Sequence, residues 1–102
     1  MDRETINRIE VLDTGELLLG LEGAGKGMYQ YVYREAAGVY WDPDKRGFKS
    51  TPMTNWSCFQ WYVHIVDVVR SGVGVELALA EDIAWSNVPE EEKARIQLGN
   101  VT

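Results

Sequence analysis

The chain has 102 residues, 45% of them hydrophobic and 25% charged, which is typical of one soluble globular domain. Its net charge of −6 disfavours nucleic acid and anionic membrane as partners, because both would repel it. One cysteine and one histidine exclude an internal disulfide and a structural zinc site within a single chain.

The first half of the chain has the pattern of short strands joined by turns. Residues 1–5 form a polar lead-in, and residues 6–51 are predicted to form a β-meander. The most regular alternation runs over residues 28–34, where Tyr29, Tyr31 and Tyr33 lie on one face of a predicted strand. Five short strands are therefore expected before the first long helix.

The segment from Gly20 to Gly27 matches the GxxxxGK spacing of a phosphate-binding loop, but not its context. Gly27 stands where that motif needs the hydroxyl of a serine or threonine. A predicted strand follows, whereas the motif must open a helix whose N-terminus faces the phosphates. The glycines are therefore predicted to form a hairpin turn.

The stretch over residues 54–72 has the clearest helical period in the chain. Polar residues recur at spacings of three and four, and apolar residues fill the remaining surface. Thr54 or Ser57 can cap the N-terminus, and Gly72 is placed for the left-handed residue after the last turn. This is the predicted core helix, with most of its surface buried.

A strand over residues 73–80 and a short helix over residues 87–98 complete the predicted order. Asn87 is the expected helix cap. Together these elements predict an α+β fold with a mostly antiparallel, five- to six-stranded sheet. The long core helix packs on one face of that meander.

Aromatic residues are the first candidate for a functional surface. If the core helix covers one face of the sheet, alternation places several tyrosines and a tryptophan on the other. Such a face suits self-association or an aromatic ligand pocket, unless the sheet curls and both faces are core. The candidate residues on the sheet and the facing helix are Tyr29, Tyr31, Tyr33, Tyr40, Trp41, Trp61 and His64.

Acidic residues of the C-terminal half are the second candidate. A solvated surface is their simplest interpretation, but a concentrated patch can also steer a basic protein partner. The patch would consist of Glu81, Asp82, Glu90, Glu91 and Glu92.

No arrangement of residues predicts catalysis, a metal site or a cofactor. Cys58 lies six residues from His64 and is expected in the core, where a thiol is inert. A protein that is not an enzyme is therefore expected.

Three hypotheses for function remain. The first is a non-enzymatic binding protein that forms a homodimer through the aromatic sheet face. The second is a small-molecule-binding domain with a pocket near Trp61 and His64, for a small aromatic or apolar ligand. The third is an acidic, immunity-type inhibitor of a basic toxin or nuclease.

The N-terminus lacks the apolar segment of a signal peptide, and no apolar run could span a bilayer, so a cytoplasmic location is expected. No family motif is present. The chain has the general character of a bacterial mobile-element accessory protein, an expectation that rests on no particular residue.

Overall fold

The computed structural model describes residues 2–35 and 38–99. Five strands, one long helix and two shorter helices are joined by turns, with a 3-10 turn directly before the first helix. In chain order they are β1 (Asp2–Val11), β2 (Leu17–Leu21), the 3-10 turn (Gly27–Tyr31), α1 (Val32–Glu35), β3 (Val39–Asp42), β4 (Gly47–Ser50), α2 (Cys58–Val73), β5 (Val75–Ser86) and α3 (Glu90–Gly99).

The strands form one mixed sheet in the order β3-β4-β2-β1-β5. β1 pairs antiparallel with β2 and parallel with β5, and the β2–β4 and β3–β4 pairs are antiparallel. The predicted α+β class, long helix and short C-terminal helix are confirmed. The sheet is mostly antiparallel, as predicted, but it is mixed and not a simple meander, because β2 pairs with β4 rather than with the next strand and β5 lies parallel to β1.

Residues 28–34 do not form the predicted strand. They belong to the 3-10 turn and to α1. Among residues 28–33 the buried side chains are Tyr29 and Val32, which are three residues apart. The ring of Tyr29 packs against Trp41 and Phe48, with centroids 5.2 and 5.4 Å away. Core packing therefore selected a helical spacing over the alternating pattern of the tyrosines.

The predicted lead-in is part of the central sheet, apart from Met1, which lies outside the described residues. Arg3 pairs with Glu76 and Thr5 with Ala78 in the parallel ladder. Residues 2–5 form a strand although their side chains are polar, because β5 pairs with them along one edge and the N–H of Glu22 donates to the carbonyl of Thr5 on the other.

Helix α2 begins later and ends later than the sequence predicted. Ser57 is its N-cap and exchanges hydrogen bonds with Gln60 in a capping box. Gly74, with a φ of 69°, takes the left-handed position after the last turn, so the prediction for Gly72 is wrong. The prediction of a mostly buried helix also fails on one side, because Val63 is 47% exposed.

The buried face of α2 covers one face of the sheet. That face of α2 consists of Cys58, Tyr62, Ile65, Val68 and Val69. On the sheet, Leu19, Phe48 and Val75 contribute to the same core cluster. Burial of this apolar surface is the main stabilising contribution to the fold.

The opposite face of the sheet is polar. The guanidinium of Arg8 lies over Gly20, where an added Cβ would be 2.7 Å from Cζ. The ammonium of Lys49 lies 3.1 Å from Asp42 and 3.7 Å from Glu16. One polar, solvated face is usual for a largely antiparallel sheet.

The C-terminal elements also differ from the prediction in their bounds. β5 runs to Ser86 rather than residue 80, and α3 begins at Glu90 rather than residue 87. Asn87 is not the helix cap, because it has a φ of 60° and donates its side-chain amide to the carbonyl of Val11. It therefore connects the end of β5 to the end of β1.

Candidate ligand pocket at the start of the long helix

A hollow of about 490 Å³ lies where the turn before β3, the segment after β4 and the start of α2 meet. This volume is within the range of small-molecule sites. Its lining is mainly apolar and consists of Gly38, Thr51, Pro52, Thr54, Asn55, Trp56, Trp61 and His64.

Backbone hydrogen bonds hold the segment that forms one side of the hollow. The N–H of Thr51 donates to the carbonyl of Gly38 (3.0 Å), and the N–H of Met53 donates to that of Gly15 (2.9 Å). The capping box at Ser57 fixes the other end. Residues 54–56 therefore form a short arch between two anchored positions.

Three aromatic rings meet on the helix side of the hollow. Trp56 and Trp61 have centroids 4.9 Å apart, and His64 lies 5.1 and 5.4 Å from them. The planes are inclined by 58 to 77°, which is the edge-to-face range that aromatic pairs favour.

Gly38 allows the closest approach within the hollow. Its φ is +84°, and a Cβ built on it would lie 2.9 Å from Cη2 of Trp61. A side chain here would strain the backbone and displace the indole. The turn before β3 and the ring from α2 therefore fit only with glycine at this position.

The described lining of the hollow combines apolar surface with a few hydrogen-bonding groups. Among the residues whose side chains the structure describes, none that lines the hollow is a lysine, arginine, aspartate or glutamate. The polar groups are the hydroxyls of Thr51 and Thr54, the amide of Asn55, the imidazole of His64 and the indole N–H groups. This arrangement suits an uncharged ring-bearing molecule, with a few polar groups to orient it.

The structure brings together two of the predicted site residues, Trp61 and His64, and adds Trp56. A sequence signal for Trp56 existed. It directly precedes the cap Ser57, and an apolar residue there commonly packs on the fourth helical residue, which is Trp61. The pair thus has the geometry of a hydrophobic staple, and 43% of Trp56 nevertheless remains exposed.

The other predicted aromatics do not form one sheet face, so that prediction is wrong. Tyr29 is buried, and its hydroxyl donates to Glu4 (2.6 Å). Trp41 packs on the α2 side of the sheet, against Phe48. Tyr40 alone of the predicted five lies on the polar face of the sheet, since it pairs with Lys49.

Two tyrosines are instead exposed on the short helical segment. Tyr31 is 48% and Tyr33 55% exposed, beside Met28 at 43%. The ring of Tyr33 stacks on Tyr40 with centroids 4.8 Å apart. We refer to Met28, Tyr31, Tyr33 and Tyr40 as the tyrosine patch.

The five residues of the predicted acidic patch differ in their contacts. Glu92 accepts a hydrogen bond from the N–H of Phe59 (2.9 Å), so its carboxylate lies at the N-terminus of α2, where the helix dipole favours negative charge. Glu90 pairs with Lys93 at 3.0 Å. Glu81, Asp82 and Glu91 are exposed, so the predicted patch loses Glu92.

Cys58 lies beside this contact and is buried. Burial, and to a lesser degree the charge of Glu92, raise the pKa of its thiol. Within residues 2–35 and 38–99 there is no cluster of three metal-ligating side chains. None of the helices described has the length and apolar character needed to cross a bilayer.

Fold and hollow together define a small α+β domain with a neutral, aromatic candidate ligand site. The family model of the integron cassette protein Hfx_Cass5 matches residues 23–83, more than half of the chain and every residue that lines the hollow. The chain therefore belongs to the Hfx_Cass5 family of integron cassette proteins. This confirms the expectation of a mobile-element accessory protein.

One solved relative is the integron cassette protein Hfx_Cass5 from the mobile metagenome of the North West Arm Sewage Outfall. It is 31% identical, with 100% of this chain and 99% of that chain covered and a TM-score of 0.44. The curated proteins gave no match.

Proposed function

We propose that this integron cassette protein acts by binding rather than by catalysis, and that its ligand is a small, uncharged, ring-bearing molecule. The observation that carries the proposal is the neutral hollow in which Trp56, Trp61 and His64 meet beside Gly38. Aromatic side chains give such a site apolar contact area at low cost in conformational entropy.

A fluorescent probe tests the proposal directly. N-phenyl-1-naphthylamine is uncharged, and its emission rises when it enters an apolar site. We expect it to bind the wild-type protein, and we expect Trp61→Ala to weaken binding by about tenfold, the effect of losing roughly 1.4 kcal/mol of ring contacts.

Val63→Ala is the matched control, because Val63 is an exposed apolar residue of α2 that does not line this hollow. Its affinity for the probe should equal that of the wild type. Equal binding by the wild type and Trp61→Ala would contradict the proposed site, and so would the absence of binding to the wild type.

Self-association through the tyrosine patch is the second candidate. Its support is the adjacent exposure of Met28, Tyr31 and Tyr33, since exposed aromatic and methionine side chains are enriched at interfaces. We propose that two copies bury this patch against each other as a homodimer.

Light scattering at two protein concentrations tests the homodimer. We expect a dimer for the wild type and a monomer for Tyr33→Asp, which places a charge in the proposed interface. Val63→Asp adds the same charge on a different surface and should remain dimeric. A monomeric wild-type protein would exclude this second candidate.

An acidic inhibitor of a basic protein has less support than either, because Glu92 is used within the fold. It requires binding that weakens steeply with salt. We rank it below the two proposals above.

A further inference from the structure

We infer that the hollow selects planar, uncharged rings that carry a hydrogen-bond acceptor, and that the indole N–H of Trp61 binds this acceptor. The inference rests on the proposed ligand site and specifies the chemistry of its ligand.

The indole N–H of Trp61 is a donor with no acceptor in the described part of the chain. The indole nitrogen of Trp61 is not fully buried. Among the described residues, the one fully buried side-chain polar atom without a hydrogen-bond partner is Asn7 Oδ1. The N–H is therefore accessible to a bound molecule. An indole nitrogen can only donate, so its partner has to be an acceptor.

The position of the ring favours the same partner. The outer edge of its six-membered ring lies against Gly38, where an added Cβ would be 2.9 Å from Cη2 and 3.5 Å from Cζ3. The pyrrole edge, which carries the N–H, is at the other end of the ring. The contact with Gly38 is therefore made by the edge of Trp61 that does not carry the donor.

The charge of the site limits the type of acceptor. The described lining residues include no lysine or arginine to compensate a carboxylate or phosphate, and the protein as a whole is negative. An anion would therefore be repelled, and a cation would find no carboxylate among the described lining residues. A ring nitrogen or a carbonyl oxygen on a neutral ring meets both conditions.

A ligand without an acceptor covers the N–H and leaves it without a hydrogen bond. The lost bond is expected to cost about three- to tenfold in affinity. The hollow should therefore discriminate between rings of equal shape that differ only in an acceptor.

Quinoline and naphthalene form such a pair, because a ring nitrogen in the first replaces a C–H in the second. We would measure the affinity of both for the wild type, Trp61→Phe and Trp85→Phe at pH 8, where quinoline is neutral. Phenylalanine keeps an aromatic ring and removes the donor. Trp85, on β5, is the control outside the hollow.

We expect the ratio of quinoline to naphthalene affinity to fall about three- to tenfold in Trp61→Phe and to stay unchanged in Trp85→Phe. Comparing ratios cancels the different solubilities of the two probes in water. If both probes bind and the ratio is the same in all three proteins, the inference is wrong and the ligand site stands. If neither probe binds the wild type, both the inference and the proposed ligand site are wrong.

A second measurement needs no variant. The ¹H resonance of the Trp61 indole N–H in the wild-type protein should move downfield with quinoline and not with naphthalene. Equal shifts with the two probes would overturn the inference even if Trp61→Phe does not fold.

Discussion

Asp42 is the residue that connects the edge strand β3 to its neighbours on the polar face. Its carboxylate accepts hydrogen bonds from the N–H groups of Asp44 (3.0 Å) and Lys45 (3.2 Å) and from the ammonium of Lys49 (3.1 Å). Burial acts to raise the pKa of Asp42, but these hydrogen bonds and the charge of Lys49 outweigh it. The pKa of Asp42 is therefore lower than usual.

A carboxyl group with a lowered pKa in the folded protein stabilises the fold above its unfolded pKa, which is about 3.9. That stabilisation is lost as the pH falls through the folded value. We expect Asp42→Asn to lower the free energy of unfolding by about 1–3 kcal/mol at pH 7. The deficit should shrink towards pH 2, as the wild type also loses its charge.

Urea unfolding at pH 7 and pH 2 measures both effects. Asp44→Asn is the control, because it removes a negative charge from an exposed neighbour. It keeps the backbone N–H of residue 44 that donates a hydrogen bond to Asp42. A deficit in Asp42→Asn that is equally large at both pH values would show that its cause is not the charge of Asp42.

Helix α2 is the element that builds both the core and the candidate site. Its first turn carries the capping box of Ser57 and Gln60, and the same turn positions Trp56 against Trp61. The side of the helix that faces the sheet is buried, while Trp61 and His64 project beside it into the hollow. The start of the helix and the shape of the hollow are therefore coupled.

Ser57→Ala removes the side-chain oxygen that accepts the N–H of Gln60. We expect it to lower the free energy of unfolding by about 1 kcal/mol, a typical cost for loss of an N-cap. It should also weaken binding of the naphthylamine probe, because Ser57 would no longer be held by its side-chain hydrogen bond and the adjacent Trp56 would be less well positioned. Thermal unfolding and a probe titration measure these changes.

Ser71→Ala is the control on the same helix. The hydroxyl of Ser71 donates back to the carbonyl of Asp67 (3.0 Å), a bond within the helix that contributes little to stability. An equal loss of stability in both variants would argue against a special role for the cap at Ser57.

The sheet order is the feature of the whole molecule that joins its two ends. β1 pairs with β2 on one side and with β5 on the other, so the first strand of the chain holds the last in place. The β1–β5 ladder has an irregularity, since Ile6 pairs with Leu79 but Arg8 pairs with Ala84. Residues 80–83 bulge from the edge of the sheet at this point.

A proline in the central strand should therefore be much more harmful than one in the bulge. Thr5 lies between Ala78 in the parallel ladder and the N–H of Glu22, which donates to its carbonyl (2.8 Å). We expect Thr5→Pro to cost about 3 kcal/mol or more, or to prevent folding. Glu81→Pro, at the exposed edge, should cost far less.

Circular dichroism and urea unfolding of the two variants check this expectation. Similar stability for Thr5→Pro and Glu81→Pro would contradict the central position of β1. Since the polar residues 2–5 resemble a loose N-terminal tail, this comparison separates the two interpretations of that segment.

Much of the local structure could be predicted from the sequence. The period of three and four over α2, the serine cap and the alternating leucines of β2 all indicate the elements that form. These signals survive because each element buries at least one face or stripe, whatever its partners are. The α+β class and the central role of α2 follow from them.

The tertiary structure decided the rest. Whether Tyr29 lies in a strand or a helical turn depends on the space beside Trp41 and Phe48. The polar residues 2–5 form a strand only because β5 supplies their partners. Gly38 and Trp61 are 23 residues apart and meet only in the folded chain. Local patterns report which surfaces need burial, but long-range packing determines which surfaces meet.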